Sequence, residues 1–219
     1  MSFVIAIDGP AAAGKGTLAK RLAAKYDLAK LDTGLLYRAV GFKVVSQGGD
    51  PEDAVVGEAA ARALDPVELS NEALRTDEAA QAASKVSAIP GVRAALLDFQ
   101  RDFAAHPPLL DEGSAAKGAI LDGRDIGTTV CPDAEVKLFI SASTEVRAQR
   151  RFKELQYRGL EAIYARVLED MVERDARDSG RSASPLAAAD DACVLDTSEL
   201  DAGQAFAKAV EFISSKNLF

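Results

Sequence analysis

Residues 3–17 constrain this chain more than any other stretch: Phe3-Val4-Ile5-Ala6-Ile7-Asp8-Gly9-Pro10-Ala11-Ala12-Ala13-Gly14-Lys15-Gly16-Thr17. Five apolar residues in a row read as a strand buried on both faces, the pattern of a parallel sheet covered by helices. A Gly-x-x-x-x-Gly-Lys loop follows, then Leu18, Leu22 and Tyr26 at the four-residue spacing of a helix stripe. Strand, glycine loop and helix are the context in which this pattern cradles phosphate oxygens with backbone N–H groups. Gly9, Pro10, Ala11, Ala12, Ala13, Gly14, Lys15, Gly16 and Thr17 are therefore the candidate nucleotide-phosphate contacts. Lys15 supplies the mobile cation for the β and γ phosphates. The competing reading, a Gly/Ala-rich turn that happens to hold a lysine, has strand, spacing and helix against it.

The chain has 219 residues, enough for one core with small inserts. No apolar run approaches a membrane span, and Met1-Ser2 leads directly into the first strand, so neither a signal peptide nor a membrane partner is expected. Cys131 and Cys193 lack close-set metal-ligand spacing and read as free thiols of a cytoplasmic protein. His106 is the only histidine, which argues against a histidine triad or a zinc site. A net charge of −8 argues against broad nucleic-acid binding. Any phosphate substrate must then be met by arginines gathered locally.

Five strand–helix alternations predict an α/β fold, a five-stranded parallel sheet with helices on both faces. After the first helix come a short strand at 29–31 and a helix opened by Asp32-Thr33-Gly34, where Thr33 is a candidate cap. Gln47-Gly48-Gly49-Asp50-Pro51 ends that helix. Residues 52–89 read as an alanine-rich helical insertion broken by Asp65-Pro66 and Pro90. A helix over 92–103 carries Arg93 in its first turn, where a cation opposes the dipole. Strand 119–122 runs into Gly123-Arg124-Asp125-Ile126-Gly127-Thr128, and ligands of parallel sheets bind beyond such strand ends. Asp122 stands where phosphate-loop enzymes keep an acid near magnesium. Strand 136–140 leads to a helix capped by Ser143 with Arg147, Arg150, Arg151 and Lys153, then Tyr157-Arg158-Gly159. This cationic run is either a solvated face or a lid closing over the transferring phosphoryl group. A helix over 160–175, the charged run 173–181, strand 192–196 and helix 200–216 complete the chain.

Gly16 follows Lys15 where Ser or Thr is usual, with the hydroxyl one later at Thr17, and no Asn-Lys-x-Asp guanine motif occurs. That resembles nucleoside monophosphate kinases more than GTPases. The loop, then Leu31-Asp32-Thr33-Gly34-Leu35-Leu36-Tyr37-Arg38, Asp122-Gly123-Arg124-Asp125-Ile126-Gly127-Thr128, and Arg174-Asp175-Ala176-Arg177-Asp178-Ser179-Gly180-Arg181 occur in order. Together they closely resemble the bacterial cytidylate kinase family along nearly the whole chain. The resemblance implies a P-loop kinase moving the γ-phosphoryl of ATP to CMP or dCMP, with magnesium. It implies Arg38, Arg124 and Arg181 as the clamp on the CMP phosphate, and Thr33, Arg174 and Asp178 as sugar contacts. It implies Ser84, Arg93 and Asp125 as cytosine contacts, Arg151 and Arg158 as further ATP contacts, and Lys15, Arg124, Asp125 and Arg181 as the catalytic set. Magnesium is expected mainly on phosphates and water, with Thr17 and Asp122 as nearby protein groups. One domain, 1–219, is expected: core 1–41 and 92–219, a monophosphate-binding insert at about 42–91 and a lid at about 147–160. A monomer is expected. Two departures stand out: Thr33 replaces a common serine, and the insert is short, holding only 64–75 where longer relatives carry a small antiparallel sheet.

The rival readings are a small-molecule P-loop kinase with another acceptor, and a non-enzymatic ATP-binding module. The first has no need of Ser84, Arg93 and Asp125 as a base-reading set. The second would hydrolyse ATP equally with or without CMP.

Overall fold

The computed structural model describes residues 3–111 and 113–217. Five strands form one parallel sheet: β1 (Phe3–Asp8), β2 (Leu28–Asp32), β3 (Gly118–Asp122), β4 (Val136–Ser141) and β5 (Cys193–Asp196), in the order β2-β3-β1-β4-β5. The helices between them are α1 (Lys15–Tyr26), α2 (Thr33–Ser46), α3 (Ala54–Arg62), α4 (Asp77–Val86), α5 (Pro90–Ala105), α6 (Thr144–Tyr157), α7 (Tyr164–Gly180) and α8 (Ala202–Ser215). β1 is central, and the chain leaves it towards β2 on one side and later fills β4 and β5 on the other. The loop after β1 therefore opens at the switch point, beside the ends of β3 and β4.

Strand alternation divides the core. Val4, Ala6, Leu31, Ala119 and Leu121 face α2, α3, α4 and α5. Ile5, Ile7, Ile120, Leu138 and Ile140 face α1 and α8. Ile5 and Ile7 are fully buried, each worth about 1.5–3 kcal/mol relative to exposure. Both faces of β1 are thus spoken for, which explains its unbroken apolar run.

The insertion packs on α2 through α4. Gly41 makes this possible: a Cβ there would lie 2.7 Å from the carbonyl carbon of Ala82. Two 3-10 turns, Pro66–Ser70 and Glu72–Arg75, occupy 66–75, with no strand among these residues.

Several sequence expectations shift. Pro90 begins α5 at its first helical position rather than breaking the chain there, because the missing N–H is one the helix does not use. Asp32, not Thr33, caps α2, accepting from Gly34 N at 3.0 Å. α7 starts four residues later than read, after the turn at Gly159 (φ 72°), and runs to Gly180, five residues further. The charged run continues that helix as far as Gly180, with Asp175 paired to Arg147 and Asp178 to Arg124. The stretch after Asp125 folds as a π-helical turn, Ile126–Val130.

Candidate active site

The phosphate loop is held open by its backbone. Gly9 (φ 141°), Ala12 (φ 58°) and Gly14 (φ 97°) have positive φ. A Cβ on Gly9 would lie 2.0 Å from Ile140 O, so only glycine lets the loop turn over β4. α1 starts after Gly14 with no side-chain cap, leaving its first N–H groups for a ligand. Lys15 Nζ donates to Pro10 O at 2.8 Å, which folds the ammonium under the loop. Burial, with Arg124 nearby, pulls its pKa down to about 7.

Beyond the loop lies a cleft of about 720 Å³. Ala11, Ala12, Gly14, Lys15, Gly16 and Thr17 line one side of it. Thr33, Arg38, Arg93, Asp122, Arg124, Asp125, Arg151, Arg158, Arg174, Asp178 and Arg181 line the rest. Gly9, Pro10 and Ala13 form the loop's back and do not reach it.

Asp178 organises the arginines. Arg124 Nε donates to its Oδ2 at 3.0 Å, Arg174 Nε stands 3.9 Å away, and Arg181 Nε donates to its carbonyl at 3.2 Å. Burial would raise the Asp178 carboxyl, but the guanidinium charges of Arg124, Arg174 and Arg181 outweigh it and hold it below the usual range. Arg174 is pulled down to about 10, by burial and then by Arg124. Arg174 Nε and Arg181 Nη2 are buried donors with no hydrogen-bond partner. Unmet donors of this kind in a cleft call for an anion.

At the far end, Arg93 Nη2 donates to Asp125 Oδ2 at 2.5 Å and Arg93 Nη1 to Ser87 O at 3.2 Å. The guanidinium also lies 5.4 Å from the centre of the Tyr37 ring. Thr33 Oγ1 donates to Asp122 O at 2.9 Å, tying α2 to β3. Asp122 is pushed up to about 6 by burial and by Asp32, and its Oδ2 is buried without a partner.

The cationic helix α6 divides in two. Arg147 is committed to structure, forked onto Asp175 at 3.0 and 2.5 Å and bonded to Ala142 O. Arg150 is bonded to Thr197, although it too borders the cleft. Arg151 and Arg158 reach across to the insertion, donating to Asp77 at 2.7 Å and to Arg75 O at 2.8 Å. Arg38 meets the same segment at Leu74 O, 2.9 Å.

Ser84 is buried, and its hydroxyl accepts from Arg177 at 2.6 Å instead of lining the cleft. Ser87, which sequence reading passed over, lines it, and its hydroxyl donates to Ser84 O and accepts from Arg181 Nη1. Tyr37, which the sequence offers only within the 31–38 motif, also lines the cleft. A signal for Arg177 existed in the 174, 177, 178, 181 spacing, which puts these residues on one helical face.

A parallel α/β sheet with a phosphate loop at its switch point and arginines converging over it defines a P-loop phosphotransferase. The cytidylate kinase family model matches residues 5–215. A cytidylate kinase of Paramagnetospirillum magneticum is 64% identical, covering 99% of this chain and 100% of that one. One of Rhodospirillum rubrum is 59% identical, covering 98% and 99%. A solved structure of an uncharacterized protein from Eubacterium ventriosum shares the fold at a TM-score of 0.56 and 16% identity, covering 98% of this chain and 99% of that one. The chain belongs to the cytidylate kinase family, and it is an enzyme, a kinase.

Proposed function

We propose that the cleft transfers the γ-phosphoryl group of ATP to CMP or dCMP, giving CDP or dCDP and ADP. The observation that carries this reading is the meeting, in one cleft, of a phosphate loop with buried arginine donors that lack hydrogen-bond partners. Two polyanions repel each other, and Lys15, Arg38, Arg124 and Arg181 offset that repulsion where the phosphates meet. Planar guanidinium groups hold phosphate oxygens in pairs and so fix direction as well as charge. Positioning and charge stabilisation suffice for this reaction, so no covalent intermediate is needed. Arg174 and Asp178 serve the sugar beside the arginine clamp, with Thr33 close by. Arg93 and Asp125 serve the base, with Ser84 supporting them through the α4 backbone.

Magnesium fits this site. The buried Asp122 Oδ2 lacks a partner, and a Cβ on Gly16 would lie 3.9 Å from it, so a cation beside Thr17 would supply the missing contact. When bound, the ion screens the charge of the phosphates, and Thr17 and Asp122 are the residues that would orient it. The smaller cavity lined by Thr17, Arg150, Thr197 and Leu200 adjoins the same loop and suits the base of ATP.

The core is 1–41 and 92–219, the insert about 42–91 binds the acceptor, and the lid about 147–160 closes on it. Arg151 and Arg158 lie on that lid and pass to ATP phosphates as it closes. The enzyme is proposed to act as a cytoplasmic monomer, without nucleic-acid or membrane partners. No helix among the described residues is long and apolar enough to cross a membrane. The test is ADP release with and without CMP. Release should be far faster with CMP; equal rates would favour an ATP-binding module or ATPase.

A further inference from the structure

Asp8 is the last residue of β1 and is buried, yet nothing in the proposed chemistry uses it. Its two carboxylate oxygens accept from Ile126 N and Gly127 N, both at 2.7 Å. These are the first two N–H groups of the π-helical turn Ile126–Val130, whose N-cap residue is Asp125. An aspartate at an N-cap ordinarily spends its carboxylate on the amides of the following turn. Asp125 makes no such bond. Its carboxylate points away, to Arg93.

We infer that Asp8 is a positioning residue for acceptor recognition: it caps the turn in place of Asp125 and so frees the Asp125 carboxylate to hold Arg93. Without Asp8, the amides of Ile126 and Gly127 lose their acceptor, and the Asp125 carboxylate, at the N-cap of that turn, is drawn towards them and away from Arg93. The phosphate loop should be less affected, since β1 is hydrogen-bonded to β3 and β4 on both sides and α1 anchors the loop's other end. Other groups near Asp8 are Asp125 and Lys15, the Cys131 thiol, and the Lys137 stem packed against Gly127. The Lys137 ammonium has only donors and is held by Asp191, so it cannot replace Asp8 as the acceptor for Ile126 N.

The kinetic part rests on reading Asp125 as a base contact; the structural part does not. The experiment is Asp8→Asn, which keeps the shape but turns one acceptor into a donor, with Asp8→Ser as a smaller variant should the first not fold. A crystal structure of the variant should show Asp125 turned onto the amides of Gly127 or Thr128 and Arg93 released. KM for CMP should rise about tenfold, the scale of one charged hydrogen bond, with KM for ATP within about twofold. Asp8→Asn added to Asp125→Asn should cost little more than Asp125→Asn alone, because both remove one unit. An intact Arg93–Asp125 pair in the variant overturns the inference, as do equal rises in both KM values or additive losses. If Asp125→Asn leaves base choice unchanged, the base reading falls while the crystal structure still decides the role of Asp8.

Discussion

Arg93 and Asp125 form an ion pair at 2.5 Å with side chains only 9% and 6% exposed, one from α5 and one from the turn after β3. Burying two charges is expensive, and the pair offsets that cost only while both members are present. The pair lines the same cleft as the phosphate loop, and in the proposed function it serves the acceptor's base. An ionised carboxylate only accepts hydrogen bonds. Cytosine offers a 4-amino donor, whereas uracil offers a carbonyl oxygen at the same place.

Asp125→Ala should therefore narrow the preference for CMP over UMP. We expect kcat/KM for CMP to fall by roughly 10²-fold or more, the scale of an unmatched polar contact in a closed site, and that for UMP to fall much less. Initial-rate kinetics on both acceptors decide it. Equal losses would make Asp125 structural or generally catalytic.

Lys15→Ala should leave the fold intact, because the ammonium's one protein acceptor is Pro10 O in the loop itself. kcat should fall by roughly 10²–10³, as for other preorganised charge-stabilising groups. A thermal melt and a coupled ADP assay on the same preparation separate folding from turnover.

Gly41→Ala should destabilise the join between α2 and α4. The new methyl would lie 2.7 Å from backbone of Ala82, which flexible side chains cannot relieve. Overpacking of this kind costs about 1–3 kcal/mol. Urea denaturation measures the loss, and KM for CMP should rise as Ser87 and the end of α4 shift.

Stability of the ligand-free enzyme should carry a contribution from Asp8 with a defined sign. Burial pushes its pKa up to about 6, above the ordinary aspartate range, against the pull of Gly127 N and Ile126 N. The folded protein therefore takes up this proton more readily than the unfolded chain. The stabilisation is complete below the unfolded value and is lost as pH rises through about 6. It amounts to at most about 3 kcal/mol. Urea midpoints for wild type and Asp8→Asn, compared at pH 5 and pH 7.5, should diverge in wild type's favour at the lower pH. A difference between the two proteins that does not change with pH contradicts this.

Much of the architecture was legible because the signals were local. The apolar run of β1, the glycines and Lys15 lie within 15 residues, and Ser143 announces the start of α6 by its own side chain. What misled was pairing at a distance. The run 173–181 reads as a helix terminator, but Arg124, 54 residues before Asp178, pairs with it and the helix continues to Gly180. Arg147 reads as a lid arginine until Asp175 is found against it. Ser87 lines the cleft while Ser84 lies behind it, a distinction of helical phase that spacing alone does not settle. The capping role of Asp8 leaves no local trace in the sequence, because its partners lie 118 and 119 residues onward.

The most direct test of the account is an acceptor panel with ATP and magnesium, followed by ADP release: CMP, dCMP, UMP, AMP and shikimate at equal concentrations. The account predicts the highest kcat/KM for CMP and dCMP, with UMP well below them and AMP and shikimate near the background of ATP alone. Preference for a non-cytidine acceptor, or a rate that no acceptor changes, would contradict it.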